Sequence, residues 1–265
     1  MVLQIDKKVA LIGFGSIARI LVKSGLKPEV VLVRKDYDRL FRKQYPGLTS
    51  VSSIGDLLDC EIDIVVECAS QQAVREFGEA VLNSGTDLLV VSTGVFADNR
   101  FLKNLLEFGT KSGSRIIIPA GAIAGIDGLS ALSLGGLEEV RYISKKPPNA
   151  WEGTPAEELY NLKEISESTV IFSGRAAQAA TQYPKNANLA VTVALAGIGV
   201  TRTQVELVAD PDLNMNQGRI EASGRLGKLV VDLTGSAAPD NPKTSEITAF
   251  SILHCLMKEQ GVMVL

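Results

Sequence analysis

Two closely spaced glycines near the beginning of the chain have the geometry needed to bind phosphate groups. The segment 13–18, GFGSIA, directly follows a short apolar run. Gly13 permits a sharp turn after a strand, and Gly15 lets the backbone come close to a diphosphate. A helix that begins near Ser16 and Ile17 would point backbone N–H groups and the positive end of its dipole at such a ligand. The segment therefore predicts a diphosphate-binding turn.

The sequence on both sides of this turn favours a dinucleotide as the ligand. Residues 8–12, KVALI, indicate a buried strand, residues 16–24 indicate a helix, and residues 30–33, VVLV, indicate a second strand. This order forms one βαβ unit, which is the context in which a glycine-rich turn binds dinucleotides. The alternative, a tight turn in an unrelated α/β protein, is less favoured by this order.

The residues after the second strand bear on which dinucleotide is preferred. Arg34, Lys35 and Asp36 follow that strand directly. A cation at this position accommodates the 2′-phosphate of NADP, whereas an acidic residue bonds the ribose 2′-hydroxyl of NAD. Arg34 and Lys35 therefore favour NADP, and Asp36 leaves NAD open. Both cations could also be solvated surface charges.

Strand and helix patterns alternate through the first 118 residues. Further strands are predicted at 62–67, 88–92 and 116–118, and helices at 70–84 and 98–112. This alternation is typical of a doubly wound parallel sheet. We expect a Rossmann-type α/β domain over 1–118, with its ligand at the carboxyl ends of the parallel strands.

The pattern changes after about residue 120. Alternating apolar and polar residues are typical of an antiparallel sheet with one covered face, and they occur at 140–144, 169–172, 204–208, 219–222 and 229–233. Helices are predicted within 174–199, an irregular loop over 145–160 and a closing helix at 245–260. We expect a mixed α/β domain over 119–244 that holds the substrate and forms a homodimer, with the closing helix packed on the first domain.

The composition restricts the kinds of partner. The net charge of −3, with 46% hydrophobic and 22% charged residues, is typical of a globular protein and argues against a nucleic-acid surface. No run approaches the roughly 20 apolar residues that span a bilayer. Cys60, Cys68 and Cys255 lack metal-ligand spacing and fit a reducing compartment. We therefore expect a cytoplasmic protein that binds small molecules, with no metal and no membrane association.

Several longer segments resemble the L-aspartate dehydrogenase family. They are AGAIAGIDG at 120–128, VIFSGRAAQAATQYPKNAN at 170–188 and NPKTS at 241–245. The segments ECASQQAV at 67–74 and STG at 92–94 are similar to the nucleotide domain of that family. With AWEGTPAEEL at 150–159, the resemblance covers nearly the whole chain.

The resemblance implies a specific reaction. L-aspartate is oxidised to iminosuccinate with hydride transfer to NAD or NADP, and hydrolysis then gives oxaloacetate and ammonia. The reverse reaction aminates oxaloacetate reductively, and in the family iminosuccinate can also enter NAD biosynthesis. The resemblance further implies cofactor contacts for Ala122 of the GAI motif and Asn188 of PKNAN, and places Ala69 and Ser70 in the nucleotide-binding part.

The chain departs from the family at its active-site histidine. The family pattern N-x-H-x-I/V reads NQGRI at 216–220, so Gly218 stands in the histidine position. An imidazole can take a proton from the ammonium group and activate water because its pKa lies near neutrality, whereas glycine offers no proton acceptor. Three possibilities remain: a slower family reaction, a different amino or imino acid substrate, or dinucleotide binding without catalysis.

Other polar residues are candidates for binding a substrate carboxylate. Lys185 and Lys243 could supply cations, and Thr244 a hydroxyl, although Thr244 or Ser245 is expected to cap the closing helix. Lys243 could instead be a surface charge, or a base if desolvation lowered its pKa. His254, the only histidine, is expected to pack or to face solvent rather than to replace the missing base.

Two further residues could lie near the expected cleft. Cys68 is interpreted as a small buried residue rather than as a nucleophile, because no histidine stands near it in the sequence. Trp151 lies in the predicted loop, where it could cover the cleft or simply pack.

Overall fold

A computed structural model describes residues 5–238 and 241–258, apart from the side chains of 237 and 241–243. The chain divides into two compact units. One comprises the described residues up to Pro119 together with those from Thr248 onward, and the other spans Ala120–Ile247. In the described part of the chain, no helix is both long enough and apolar enough to cross a membrane.

The first unit contains a six-stranded parallel sheet. Its strands are β1 (Val9–Ile12), β2 (Val30–Leu32), β3 (Ser50–Val51), β4 (Ile64–Glu67), β5 (Asp87–Val90) and β6 (Ile116–Ile117). They lie in the order β3-β2-β1-β4-β5-β6. The predicted doubly wound, Rossmann-type sheet is confirmed. Because the order reverses between β1 and β4, a crevice opens at the carboxyl ends of these two strands.

Helices connect the strands of this sheet. They are α1 (Ser16–Lys23), α2 (Lys35–Gln44), α3 (Ile54–Leu58), α4 (Gln71–Asn83) and α5 (Asn99–Ser112), with a 3₁₀ helix at Thr93–Ala97. The segment 35–58, for which the sequence pattern predicts no element, thus forms α2, β3 and α3. Phe41 is buried, and Tyr37 and Tyr45 pack against the same core at helical spacing, so this segment did carry apolar periodicity that indicates a helix.

The second unit contains a five-stranded mixed sheet. Its strands are β7 (Leu137–Lys146), β8 (Thr169–Arg175), β9 (Gln204–Ala209), β10 (Asn216–Gly224) and β11 (Gly227–Gly235), in the order β11-β10-β7-β9-β8. The expectation of an antiparallel sheet is wrong for one pair, since β7 and β9 run parallel. A long connection through β8 and helices returns the chain to the same end, as a parallel pair requires.

Four helices accompany this sheet, namely α6 (Ile126–Leu134), α7 (Ala156–Leu159), α8 (Ala176–Gln182) and α9 (Asn188–Ala196). The predicted irregular loop 145–160 also contains a 3₁₀ helix at Pro148–Trp151. A two-stranded sheet of β12 (Ala237–Ala238) and β13 (Asn241–Ser245) precedes α10 (Ile247–Lys258). Four residues of α10, Ala249, Ile252, Leu253 and Leu256, belong to the hydrophobic core of the first unit.

Candidate active site

The glycine turn after β1 is shaped by one close contact. Gly13 has φ +88°, and its N–H donates to the Leu32 carbonyl at 2.9 Å. A Cβ on Gly13 would lie 2.6 Å from Cβ of Ala69, so no side chain fits there. A Cβ on Gly15 would meet no described atom within 4 Å. Gly15 therefore presents open backbone, which is what close approach of a diphosphate requires.

Helix α1 begins directly after this turn. Its first residues are Ser16 and Ile17, and Gly15 occupies the capping position without a side-chain hydrogen bond. The first N–H groups and the positive dipole end of α1 are thus presented next to the turn. A phosphate is the ligand that this arrangement suits best.

A cleft of about 770 Å³ joins the turn to the ends of the neighbouring strands. Seven of the residues that the sequence singled out line it: Gly13, Gly15, Arg34, Lys35, Cys68, Ala69 and Ser70. The cleft also contains Arg19, Tyr37 and Ser52, whose positions in the sequence did not indicate a role in ligand binding. Ser52 follows the two-residue strand β3, and that strand was not recognisable from its pattern.

The polar end of the cleft lies where β2 ends. The Arg34 side chain is 84% exposed, and its Nε lies 3.7 Å from a carboxylate oxygen of Asp36. Helix α2 begins at Lys35, and Arg34 caps it without a side-chain hydrogen bond. An arginine fork, a helix N-terminus and the nearby Ser52 hydroxyl form a donor set suited to a phosphate group.

Glu67, at the end of β4, is a buried carboxylate that joins two loops. Its oxygens accept hydrogen bonds from the Ala69 N–H at 2.8 Å, the Ser92 N–H at 3.0 Å and the Ser92 hydroxyl at 2.9 Å. Burial raises the pKa of Glu67, while these donors act in the opposite direction. Glu67 therefore fixes Ala69, and with it the wall against which Gly13 packs. The spacing of residues in the sequence gave no indication that Glu67 joins these two loops.

Cys68 follows Glu67 in the wall of the cleft. It is buried, and burial raises the pKa of its thiol, with the nearby Glu67 carboxylate adding to the effect. A thiol held protonated is a poor nucleophile. The structure agrees with its interpretation as a small buried residue.

Gly218 lies in the second unit, on β10, directly opposite Ser144 of β7. A Cβ on Gly218 would lie 2.9 Å from Cδ1 of Ile123, 3.4 Å from the Tyr142 hydroxyl and 3.6 Å from the Ala122 carbonyl oxygen. Burial raises the pKa of Tyr142, which keeps its phenol neutral. The position is thus flanked by the GAI motif and by a neutral hydroxyl, and an isoleucine methyl occupies part of its space.

The residues considered for substrate carboxylates are placed differently. Lys185 is exposed, and Thr244 is half-buried in β13. The side chain of Lys243 lies outside the described part of the structure. The expectation that Thr244 or Ser245 caps the closing helix is wrong, since both lie in β13 and α10 begins only at Ile247. The Ser245 hydroxyl instead donates to the Ser236 carbonyl at 3.2 Å.

The surroundings of Trp151 and His254 indicate structural rather than functional roles for both residues. Trp151 is fully buried, its Nε1 donates to the Val208 carbonyl at 3.2 Å, and its ring contacts Tyr183 edge-on. Trp151 therefore packs within the second unit rather than covering a cleft. His254 is exposed on α10, as expected for a surface histidine.

Asn186 was not singled out from the sequence. It lies in the turn before α9, is only 9% exposed, and its Nδ2 has no hydrogen-bond partner among the described residues. Asn188 begins α9 itself. The only sequence signal for Asn186 was its place beside Asn188 in the PKNAN segment.

Comparisons with known proteins define the class to which this fold and site belong. Residues 12–119 match the family described as homoserine dehydrogenase, NAD binding domain, and residues 127–259 match aspartate dehydrogenase, C-terminal. A homoserine dehydrogenase solved with NADPH shares the fold, with a TM-score of 0.56 at 12% identity. The protein is therefore an oxidoreductase that uses NAD or NADP, and the glycine turn and cleft fit such a dinucleotide.

Relatives define the family more closely. The chain is 40% identical to the L-aspartate dehydrogenase of Acinetobacter baumannii over 253 residues, which cover 93% of this chain and 95% of the relative. It is 38% identical to that of Serratia proteamaculans, covering 92% and 94%. The solved aspartate dehydrogenase of Thermotoga maritima superposes with a TM-score of 0.78 at 27% identity, covering 98% and 99%. The chain belongs to the L-aspartate dehydrogenase family, which confirms the resemblance seen in the sequence.

Proposed function

We propose that this chain interconverts L-aspartate with iminosuccinate, and hence with oxaloacetate and ammonia, using NADP or NAD. The observation that carries the proposal is the turn at Gly13 and Gly15. There, contact with Ala69 excludes any side chain from Gly13, while Gly15 stays open. The curated relatives named L-aspartate dehydrogenase support the substrate.

The residues of the first unit hold and orient the dinucleotide. Backbone N–H groups at Ser16 and Ile17, at the start of α1, bind the diphosphate, and Ala69 and Ser70 line the cleft beside the glycine turn. When bound, the nicotinamide supplies the chemistry of hydride transfer. By the family pattern, Ala122 and Asn188 of the second unit also contact the cofactor.

NADP is the preferred dinucleotide in this proposal. Arg34 and Lys35 stand at the end of β2, and Ser52 stands at the end of β3, all lining one cleft. Asp36, the one residue that would favour NAD, lies 3.7 Å from Arg34, which partly neutralises it. This set of hydrogen-bond donors therefore suits the 2′-phosphate of NADP, and it is larger than the 2′-hydroxyl of NAD would need.

Proton transfer sets the rate in this chain. Gly218 supplies no acceptor, and the Tyr142 hydroxyl beside it stays neutral because burial raises its pKa. Tyr142 can donate a hydrogen bond but cannot accept a proton from an ammonium group near neutral pH. Loss of a general base typically costs about 10²–10⁴-fold in rate. Deamination of aspartate is therefore slow, with water moving the proton.

A second candidate function is dinucleotide binding without catalysis. The packing of Ile123 at Gly218 favours it, because Cδ1 would lie 2.9 Å from a Cβ at that position. The site of the missing histidine is thus partly filled rather than enlarged. The same packing disfavours a bulkier amino acid as the alternative substrate.

The oxidation of NADPH with oxaloacetate and ammonia, repeated across a panel of other oxo acids, separates these functions. The proposed function predicts turnover that is fastest with oxaloacetate. If another oxo acid were turned over fastest, that acid rather than oxaloacetate would be the substrate. Tight NADPH binding with no turnover of any oxo acid in the panel would instead support the second candidate function, dinucleotide binding without catalysis.

We further propose that the protein is a cytoplasmic homodimer formed through the open face of the second sheet. Val230 is 57% exposed on that face. Arg219 is paired there with Asp232 at 2.6 Å, and Arg141 with Glu206 at 2.6 Å. Such a face usually finds cover. Light scattering is expected to give twice the chain mass, and the mass of one chain would contradict the proposal.

A further inference from the structure

Glu67 ties together the loops that follow two neighbouring strands of the parallel sheet. It ends β4, which pairs with β5, and its side chain is fully buried. One carboxylate oxygen accepts from the Ala69 N–H at 2.8 Å and from the Ser92 hydroxyl at 2.9 Å, and the other accepts from the Ser92 N–H at 3.0 Å. A buried carboxylate with donors on both oxygens is held in one place. The loop after β4 is therefore fixed to the loop after β5.

This connection reaches the dinucleotide cleft through Ala69. Of the described residues, Ala69 lines the cleft, whereas Glu67 and Ser92 do not. Ala69 also shapes the glycine turn, because its backbone N lies 3.3 Å and its Cβ 2.6 Å from the position that a Cβ on Gly13 would take. The N–H that donates to Glu67 thus belongs to the residue in contact with Gly13. A shift of Ala69 would therefore change the wall of the turn.

The arrangement requires an acceptor at both ends of the carboxylate. Each oxygen of Glu67 faces a backbone N–H, that of Ala69 on one side and that of Ser92 on the other. Glutamine has the same length, but its amide nitrogen would set a donor against one of these two backbone donors. A buried N–H left without an acceptor is unfavourable, so one of the two loops would have to move. The carboxylate is therefore suited to positioning both loops and not merely to filling space.

We propose that Glu67 and Ser92 are positioning residues for the dinucleotide, which hold Ala69 against Gly13 and so set the shape of the turn that binds the diphosphate. This inference rests on the proposed function and assigns a role within its cofactor site. The Ser92 hydroxyl acts through Glu67, and Glu67 acts through Ala69. The affinity for NADPH therefore depends on a hydroxyl that is not among the described residues lining the cleft.

Ser92→Ala and Ser114→Ala form a matched pair of variants. Each removes a buried hydroxyl from the first unit, and each hydroxyl donates at 2.9 Å, from Ser92 to Glu67 and from Ser114 to the Leu82 carbonyl. Both substitutions should lower the melting temperature to a similar extent. The Kd for NADPH, measured by fluorescence titration, should rise at least about fivefold in Ser92→Ala and stay within about twofold in Ser114→Ala.

Glu67→Gln, alone and combined with Ser92→Ala, tests the order of the contacts. The single glutamine variant should raise the Kd for NADPH at least about tenfold. Because Ser92 acts through Glu67, adding Ser92→Ala to Glu67→Gln should change the Kd by no more than about twofold. Multiplied effects of the two substitutions would mean that Ser92 acts on the dinucleotide independently of Glu67, which would overturn the proposal.

The titrations also separate this inference from the proposed function. An unchanged Kd in Ser92→Ala, or an equal rise in Ser114→Ala, would make the contacts of Glu67 purely structural and refute the proposal. If Glu67→Gln fails to fold, the comparison of the two serine variants decides by itself. Absence of turnover in an unaltered protein that binds NADPH would defeat the proposed function, and the same titrations would still decide the positioning role. If the unaltered protein bound neither NADPH nor NADH, both would fail.

Discussion

The proposed chemistry of this protein depends on single residues whose side chains are small or absent. The turn at Gly13 and Gly15 was predictable as a turn, because two closely spaced glycines directly after an apolar run leave a mark in the local sequence. Ser52 and Glu67 were not, since their places in the site arise from contacts between distant parts of the chain. Glu67, for example, binds Ser92, which is 25 residues away in the chain. The spacing in one sequence cannot show such pairs.

Restoring the family histidine should increase deamination. Gly218→His supplies a base, and the Tyr142 hydroxyl lies 3.4 Å from the new Cβ, close enough to bond the ring. Ile123 must give way, so Gly218→His with Ile123→Val is expected to gain more than the single variant, up to about 10²–10⁴-fold in kcat. The gain should disappear below about pH 6.5, where imidazole is protonated.

The matched control for the histidine is Gly218→Ala with Ile123→Val, which makes the same space without a base. A pH-rate profile of NADP reduction by aspartate compares the two proteins. Equal rates would mean that the pocket no longer positions aspartate for proton transfer.

Arg34 should determine the preference between the two dinucleotides. Arg34→Ala removes the fork that is proposed to hold a 2′-phosphate, so the KM for NADPH should rise about tenfold while that for NADH stays within about twofold. Arg39→Ala, at an exposed arginine on the same helix but outside the cleft lining, loses the same charge and should leave both values unchanged. A parallel loss for NADPH and NADH would count against the assignment.

At the scale of elements, hydrophobic pattern and turn chemistry predicted the βαβ core but not the strand partners. The alternation in β7 and β9 is the same whether they run parallel or antiparallel, so their parallel pairing could not be predicted. Helix α2 is mostly polar, but Tyr37, Phe41 and the following Tyr45 repeat at helical spacing and contact the core, so its pattern was recognisable. The strands β1, β2, β4 and β5 are short apolar runs, and these were recognised.

The glycine turn allows a matched pair of variants. Gly15→Ala places a methyl group where the fold leaves space, so the melting temperature should hold while the Kd for NADPH rises at least about tenfold. Gly13→Ala requires φ +88° and overlaps Ala69, so it should lower both affinity and melting temperature. Calorimetry and thermal denaturation distinguish the two effects. Unchanged affinity in Gly15→Ala would place the diphosphate elsewhere.

The buried Glu67 should make stability depend on pH. Because burial raises its pKa, the folded state holds this proton more tightly than the unfolded chain does. That contribution to stability is present below the ordinary pKa of 4.5 and is lost as the pH rises through the raised value. Glu67→Gln cannot ionise, so its melting temperature should fall less steeply with increasing pH than that of the unaltered protein.

Glu61 should affect the pH dependence of the melting temperature in the opposite direction, because its pKa is lowered rather than raised. Its side chain is exposed and bonds Lys8 at 2.6 Å, which lowers the pKa of Glu61. Any stability from this pair is lost as the pH falls, so Glu61→Gln should alter only the acidic part of the curve. Parallel curves for Glu67→Gln and the unaltered protein would show that Glu67 does not titrate in the folded state.

At the scale of the whole molecule, each unit has a separate task in the proposed reaction. The parallel sheet, with α10 in its core, presents the dinucleotide cleft. The mixed sheet carries Gly218 on β10, at the position of the family histidine. The change of pattern near residue 120 accompanies the change from a parallel to a mixed sheet, because the two kinds of sheet differ in how their strands are buried.

Transfer of a labelled hydride tests the central claim most directly. NADPH carrying deuterium at the transferable position of C4 is incubated with the protein, oxaloacetate and ammonia, and the products are analysed by mass spectrometry. The proposed function predicts aspartate with one deuterium at C2. No aspartate, or aspartate without the label while NADPH is consumed, would contradict it.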